Sequence, residues 1–239
     1  MRAFVLKKVA FAESDWIVQF LLENGEKRSG FAAGGRASRR RFPHQFHPAG
    51  IYEIEWAQPS ASSDKLVRLH RCELKTYSSE LCEPLHLLTL WVMLLEWVSV
   101  DDTSTPAIFS ELLQFYEQPR LERAIQFFIG QIRSHGLSPQ LNECLVCSQP
   151  VTQHPRFSAQ HGGLTHKTCD GDALVLTSSA WNALRNFSEG EEVLLDATLQ
   201  LSDLLAFARY LQTQLGRELK STRFMNETFG PQEIPQFSS

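Results

Sequence analysis

The most informative stretch of this 239-residue chain is residues 16–33, which read WIVQFLLENGEKRSGFAA. Its first half alternates in polarity, as expected for a half-buried strand over 16–22. The side chains that share the apolar face are Trp16, Val18, Phe20 and Leu22. Asn24-Gly25 is a strong signal for a tight turn, and residues 27–33 supply the returning strand. The stretch therefore predicts a β-hairpin.

Three further runs of β-forming residues surround this hairpin and predict strands over 3–9, 51–56 and 66–74. Nothing in residues 1–76 has the length and period of an amphipathic helix. Five strands in so short a segment fit a small closed barrel. We therefore predict a five-stranded OB-fold barrel over residues 1–76.

Helical periodicity begins after this segment. A nearly continuous apolar run over 81–98 predicts a helix buried on most sides. Thr105-Pro106 predicts the start of a short helix that ends near residue 116. Apolar residues at i, i+3, i+4 and i+7 predict a helix between Pro119 and Gly136, and another over 201–215.

The chain is accordingly predicted to be an α+β multidomain protein. The barrel is followed by an α-helical domain made of residues 77–140 and 173–229. An element without helical period, residues 141–172, is inserted into this domain and holds three of the five cysteines. Residues 230–239 are predicted to form a flexible tail.

The composition, with 43% hydrophobic and 21% charged residues, is typical of a globular protein with a substantial core. The longest apolar run is interrupted by His86, Thr89 and Glu96, so we expect no membrane span. The N-terminus has lysines within its short apolar stretch and no small-residue cleavage site. We therefore expect no signal peptide and a cytoplasmic location.

Charge is distributed unevenly along the chain. Residues 1–75 contain 13 Lys and Arg against 8 Asp and Glu, whereas the remainder contains 10 against 19. A basic module joined to an acidic one suggests that the first binds a polyanion. A solvated surface with a local excess of positive charge is an equally common cause.

The inserted element has the ligand spacing of a zinc knuckle. Two residues separate the first pair of ligands and two the second, with 18 residues between the pairs. The predicted ligands are Cys144, Cys147, His166 and Cys169. Three thiolates and one imidazole suit structural Zn²⁺ and leave no open position for a catalytic water. His154, His161 or Asp170 are alternative fourth ligands, and three reduced cysteines in an irregular loop are the simpler alternative.

A basic loop, residues 34–42, follows the third predicted strand and reads GGRASRRRF. Its four arginines can reach successive phosphates, and three nearby phenylalanines can offer stacking faces to bases. These aromatic residues are Phe31, Phe42 and Phe46. A solvated loop flanked by core aromatics is the alternative. Gly30-x4-Gly35 is followed by Arg36-Ala37 instead of Lys-Ser or Lys-Thr, which excludes a P-loop nucleotide triphosphatase.

Four motifs occur in an order that resembles the bacterial DNA repair protein RecO family. They are Glu13-Ser14-Asp15, Gly34-Gly35-Arg36, the zinc knuckle with Gly162-Gly163-Leu164, and Leu219-Lys220-Ser221-x-Arg223-Phe224. The resemblance covers nearly the whole chain, with His166 where zinc-bearing members commonly have cysteine. It implies an OB-fold, a helical domain and a recombination mediator that is not an enzyme. Such proteins bind single- and double-stranded DNA, anneal strands coated with single-stranded-DNA-binding protein (SSB), recognise its C-terminal tail and help RecR load RecA.

On this interpretation, eight lysines and arginines of the first module are candidates for neutralising phosphates. They are Lys7, Lys8, Lys27, Arg28, Arg36, Arg39, Arg40 and Arg41. A second basic group is Arg217, Lys220 and Arg223, which can equally offset a helix dipole. The SSB tail is assigned loosely to an apolar pocket at Ile125, Phe128 and Ile129, ringed by Arg120, Arg123 and Arg133. A zinc-stabilised protein adaptor is the main alternative function, and a zinc hydrolase is the weakest.

Overall fold

A computed structural model describes residues 1–42, 46–57, 67–103, 105–191, 193 and 195–229. The predicted tail 230–239 and the predicted first residue of the fifth strand, Leu66, lie outside the described residues. The chain forms two compact units, which meet in the sequence between Pro119 and Arg120.

The first unit contains the predicted barrel. Its strands are β1 (Arg2–Phe11), β2 (Asp15–Leu22), β3 (Lys27–Ala32), β4 (Gly50–Trp56) and β5 (Val67–Tyr77). They close in the order β1-β2-β3-β5-β4, with β1 and β4 paired antiparallel and β3 and β5 parallel. This arrangement confirms the predicted OB-fold.

The hairpin turn between β2 and β3 forms where the sequence places it. The amide of Gly25 donates to the carbonyl of Leu22 at 2.8 Å, and the amide of Leu22 donates to the carbonyl of Glu26 at 2.9 Å. Gly25 has a φ of +84°, and a Cβ there would lie 2.2 Å from the carbonyl carbon of Thr105. Only glycine satisfies both the backbone conformation and the close approach.

The described part of the first unit also contains two helices, α1 (Leu85–Val100) and α2 (Pro106–Glu117). They cover Phe4, whose ring centroid lies 5.2 Å from that of Trp91 and 4.9 Å from that of Phe109. The sequence analysis assigned both helices to the second domain, starting at residue 77. They belong to the barrel unit because Phe4 points out of the barrel and is fully buried. α1 begins after Pro84 instead of at residue 81, since a residue before proline disfavours the helical conformation.

The second unit contains four helices among the residues described. They are α3 (Leu121–Ser134), α4 (Ser178–Glu189), α5 (Leu201–Leu215) and α6 (Lys220–Thr228). α3 packs against α5, and both match the predicted helices. Gly136 and Gly216, both with positive φ, follow their ends as predicted. None of the helices in the described ranges has both the length and the apolarity that crossing a membrane requires.

Candidate metal centre and nucleic-acid interface

The four predicted metal ligands converge in the second unit. The ligand atoms of Cys144, Cys147, His166 and Cys169 all lie within 4.8 Å of one another. Of the described residues, this cluster includes none of the alternative ligands His154, His161 and Asp170. The spacing in the sequence therefore predicted which four side chains converge, and the cluster could hold a metal ion.

Two tight turns and a short hairpin bring the ligands together. The amide of Ser148 donates to the carbonyl of Cys144 at 2.8 Å, and the amide of Cys169 donates to that of His166 at 3.1 Å. Between the turns lie two strands of three residues each, β6 (Arg156–Ser158) and β7 (Gly163–Thr165). The sequence analysis missed this hairpin because its strands are too short to show periodicity.

The imidazole of His166 is oriented by a backbone acceptor. Its Nε2 lies 3.2 Å from the carbonyl oxygen of Pro150, whereas its Nδ1 lies 3.5 Å from Sγ of Cys147 and 3.8 Å from Sγ of Cys169. If Nε2–H donates to the carbonyl, the lone pair of Nδ1 points at the sulfurs. This is the usual arrangement around a metal-binding histidine, in which the outer nitrogen holds the tautomer.

The thiols differ in how easily they ionise. Burial opposes ionisation of Cys144, but backbone amides of His166, Cys147 and Val146 outweigh it and lower the pKa to about 6. Burial, followed by hydrogen bonding with Cys147, raises the pKa of Cys169 to about 11. The cluster thus holds a thiolate near neutral pH, and its donor set fits a closed tetrahedral zinc site.

The basic loop in the first unit is docked on the turn between β1 and β2. The amide of Gly34 donates to Oδ1 of Asp15 at 2.7 Å, and the amide of Arg36 donates to the carbonyl of Ser14 at 2.8 Å. A Cβ on Gly35 would lie 3.0 Å from the ring of Trp16. Two glycines therefore let the loop approach the barrel closely and present its arginines from a fixed base.

The four arginines of this loop differ in their surroundings. Arg39 and Arg40 are exposed. Arg36 is also exposed, but it donates to the carbonyl of Glu13 at 3.0 Å. Arg41 is half-buried, and its Nη2 donates to the carbonyl of Ala33 at 2.7 Å. Arg39 and Arg40 are therefore the best placed for phosphates, whereas Arg41 holds the loop in shape.

Two of the three predicted stacking residues are in the barrel core. Phe42 and Phe46 are each only 1% exposed, and the ring of Phe46 lies 6.1 Å from that of Phe20. The prediction that they offer faces to bases is wrong, because they fill the barrel interior together with residues of the strands. Phe31 is half-buried at the surface.

The other predicted DNA-binding residues of the first unit differ in exposure and in ion pairing. Lys7 and Lys8 are exposed on β1, and Nζ of Lys8 lies 5.4 Å from the ring centroid of Trp16. Partial burial lowers the pKa of Lys8. Arg28 pairs with Glu26 at 2.8 Å, so its charge is partly neutralised.

Lys27 supports a helix end instead of facing outward. Its Nζ donates to the carbonyl oxygens of Val98, at 3.0 Å, and Asp101, both at the C-terminal end of α1. This assigns Lys27 a structural role that its position beside a turn did not indicate.

We expect Lys27→Met to lower the free energy of unfolding by about 1–3 kcal/mol, because the last carbonyls of α1 lose a charged donor. Urea denaturation measures the effect. Lys7→Met, which removes an exposed lysine from β1, is the matched control and should change the free energy by less than about 0.5 kcal/mol. Equal stability of the two variants would remove Lys27 from this role.

A cleft beside the loop contains two candidate binding residues that were not predicted from the sequence. Arg40 and Arg41 line it together with Ser38, His70 and Arg71, and its volume is about 600 Å³. His70 and Arg71 are exposed on β5, next to the buried Leu69 and Cys72. Alternation alone would turn one of these two neighbours inward. The pairing of β4 with β5 shifts register here, because Glu55 pairs with Arg71 and Trp56 with Leu69, and this bulge leaves both His70 and Arg71 outside the core.

The second predicted basic group lines a concave surface between α5 and α6. Arg217, Lys220 and Arg223 share it with Arg209, which the sequence analysis missed. Its volume is about 1140 Å³, and it also contains Glu218 and Glu227. Because Arg223 pairs with Glu227 at 2.8 Å, this surface is less positive than the arginine count suggests.

The predicted pocket for an SSB tail on α3 is not open. Ile125, Phe128 and Ile129 are buried in the second unit, since they form the face that packs inward. Of the surrounding arginines, Arg120 is exposed, Arg123 donates to Gln126 at 3.0 Å, and Arg133 lies 5.2 Å from the ring of Phe187. α3 therefore presents arginines at its surface, but the apolar residues predicted to form the pocket beside them are buried.

Comparison with known proteins gives matches along most of the chain. Residues 1–77 match a family model described as the N-terminal part of recombination protein O, and residues 105–223 match the C-terminal part. "DNA repair protein RecO" of Anaeromyxobacter dehalogenans (strain 2CP-C) is 31% identical over 95% of both chains. The protein of that name in Myxococcus xanthus is 26% identical over 93% of this chain and 95% of the relative.

Proposed function

The chain belongs to the RecO family of DNA repair proteins, and from this premise we propose that it is a non-enzymatic mediator of recombination. It binds single- and double-stranded DNA, anneals complementary strands coated with SSB and assists RecR in loading RecA. These steps take place in the cytoplasm. No covalent bond is made or broken in them.

One observation supports this function above the others: exposed arginines on a loop that is rigidly seated on the barrel. Annealing requires that two strands, each with one negative charge per nucleotide, approach closely. Arg39 and Arg40 supply positive charge for this, and Arg71, which pairs with Glu73 at 3.6 Å, lines the cleft beside the loop. Contacts of this kind release counterions, so binding should weaken steeply with salt and depend little on base sequence.

The metal in this proposal is Zn²⁺, held by Cys144, Cys147, His166 and Cys169. When bound, it supplies structural cross-linking between the two turns of the knuckle, residues 141–172. The thiolate of Cys144 favours cation binding, and the carbonyl of Pro150 orients the imidazole of His166. Since the protein fills all four positions, the donor set argues against a hydrolase.

The proposal that the SSB tail is a partner rests on charge. The acidic C-terminal tail of SSB would be attracted to exposed cations of the second unit, among them Arg120 and Arg133. RecR and, through it, RecA are proposed as partners from family membership alone. An adaptor that binds proteins, with incidental DNA contact, is the second candidate function, and the mixed charges of the surface between α5 and α6 favour it.

A strand-annealing assay tests the main proposal. Two complementary oligonucleotides are each coated with SSB, and duplex formation is followed by energy transfer with and without this protein. We expect marked acceleration that declines as salt rises. No acceleration at low salt, together with intact binding to SSB, would instead support the adaptor.

A further inference from the structure

A strip of apolar side chains lies open on the outside of the barrel. Val9 of β1 is directly opposite Ile17 of β2, which is opposite Phe31 of β3. Arg68 of β5 extends the same row beside Phe31. Register partners in adjacent strands point to the same face, so these four side chains form one band across four strands.

The band lies next to the part of the outer barrel surface that α1 and α2 cover. Farther along β1, Phe4 is buried under α1 and α2. Gln19 of β2, between these regions, accepts a hydrogen bond from Ser99 near the end of α1 at 2.7 Å. Beyond it, Val9 is 47% exposed and Phe11 is 50% exposed.

Phe11, which lies two residues after Val9 on the same face of β1, adds a second ring to this band. The centroids of Phe11 and Phe31 lie 5.8 Å apart with an interplanar angle of 88°. An edge-to-face pair is a favourable arrangement that fixes both rings. Phe11 is exposed and Phe31 is half-buried, so each ring keeps part of its apolar surface open to a ligand at little cost in conformational entropy.

The band and the outer side of β4 and β5 differ in their charged residues. Lys7 flanks the band on β1 and Arg68 ends it on β5, both exposed. Asp15, the register partner of Phe11, accepts a hydrogen bond from the amide of Gly34. The outer side of β4 and β5 instead carries three acidic residues, Glu53, Glu55 and Glu73, and its cations Arg71 and Lys75 are paired with carboxylates. A polyanion with apolar flat groups therefore fits the band better than it fits this side.

We propose that Phe11 and Phe31 form a base-stacking platform for single-stranded nucleic acid. Unpaired bases lie on the two rings, while phosphates lie toward Lys7 and Arg68. The inference rests on the proposed function and deepens it, because a duplex keeps its bases stacked internally and cannot use the rings. The platform thereby makes this face selective for single strands.

Replacing the rings with aliphatic side chains tests the platform. We expect Phe11→Leu and Phe31→Leu each to weaken binding of a dT oligonucleotide about tenfold, as measured by fluorescence anisotropy. Phe31→Tyr should restore affinity because it keeps the ring. Tyr77→Leu, which removes another exposed aromatic residue from the same barrel, is the matched control and should bind as the unaltered protein does.

An abasic oligonucleotide of the same length separates stacking from charge. It should bind equally to the unaltered protein and to Phe31→Leu, and duplex binding should also be unchanged. The slope of log affinity against log salt should stay the same, since no phosphate contact is lost. Melting temperatures confirm that the variants fold.

Three outcomes would overturn the platform. Undiminished dT binding by the Phe11→Leu, Phe31→Leu double variant would do so while leaving the proposed function intact. An equal loss on dT and abasic strands would show a general surface effect. Absence of any DNA binding by the unaltered protein would overturn the platform and the proposed function together.

Discussion

Replacing Cys169 with serine is expected to abolish stoichiometric zinc binding and to lower the free energy of unfolding by about 4 kcal/mol or more. The knuckle has little else to hold it. Its two strands have three residues each, and its buried apolar side chains are few, chiefly Phe157 and Leu164. A segment this small rarely folds without a metal or a disulfide.

The physical reason is the geometry of the four ligands. Three thiols and one imidazole lie within 4.8 Å of one another, so their partial negative charges repel. A bound cation would replace this repulsion with four bonds that cross-link the two turns. Serine at 169 removes one soft thiolate, and the remaining three ligands leave a coordination position open to water.

Atomic absorption and thermal unfolding measure this effect. The unaltered protein should contain one zinc per chain and should lose thermal stability on chelation, whereas Cys169→Ser should contain less than one and should not respond to chelator. Cys82→Ser is the matched control because Cys82 is free and outside the cluster. Cys169→Ser with full zinc content and an unchanged melting curve would contradict the assignment.

The barrel and the metal ligands were predictable because their signals are local. Alternation over 16–22, the Asn24-Gly25 turn and the Cys-x2-Cys spacing each act within a few residues. Phe42 and Phe46 were misinterpreted because closure of the barrel, a long-range event, decides their burial. Nothing in their immediate sequence separates a core aromatic from a stacking one.

The sequence of β1 contains a sign, not used above, that α1 and α2 pack against the barrel. Ala3, Phe4 and Val5 are consecutive and all buried, so both faces of β1 are covered at that point. A half-exposed strand would alternate there. Three successive apolar residues thus indicate a covering element outside the barrel, although not which helices supply it. Lys27 offered no such signal, since its partners lie more than 70 residues away in the sequence.

Removing Arg39 and Arg40 together should weaken single-stranded DNA binding by about 2 kcal/mol, roughly thirtyfold, at moderate salt. Loss of two phosphate contacts should also lower the slope of log affinity against log salt by about 1.4, at 0.7 per contact for single strands. Anisotropy titrations at several salt concentrations measure both quantities. Arg41 is left in place because its hydrogen bond to Ala33 shapes the loop, and its removal would confound charge with structure.

A control variant with the same change in net charge shows whether the loss of DNA binding comes from the loop or from overall charge. Arg2→Ala with Lys75→Ala also removes two cations from the barrel, but both are already paired, with Glu23 at 3.0 Å and Glu53 at 2.8 Å. Their removal takes away the cations that pair with Glu23 and Glu53, so a protein that binds DNA through its overall charge would be weakened as much by this control. A protein that binds through the loop should keep its salt slope in the control and show the smaller slope only in Arg39→Ala with Arg40→Ala. Equal slopes in the two double variants would remove the loop from the DNA interface.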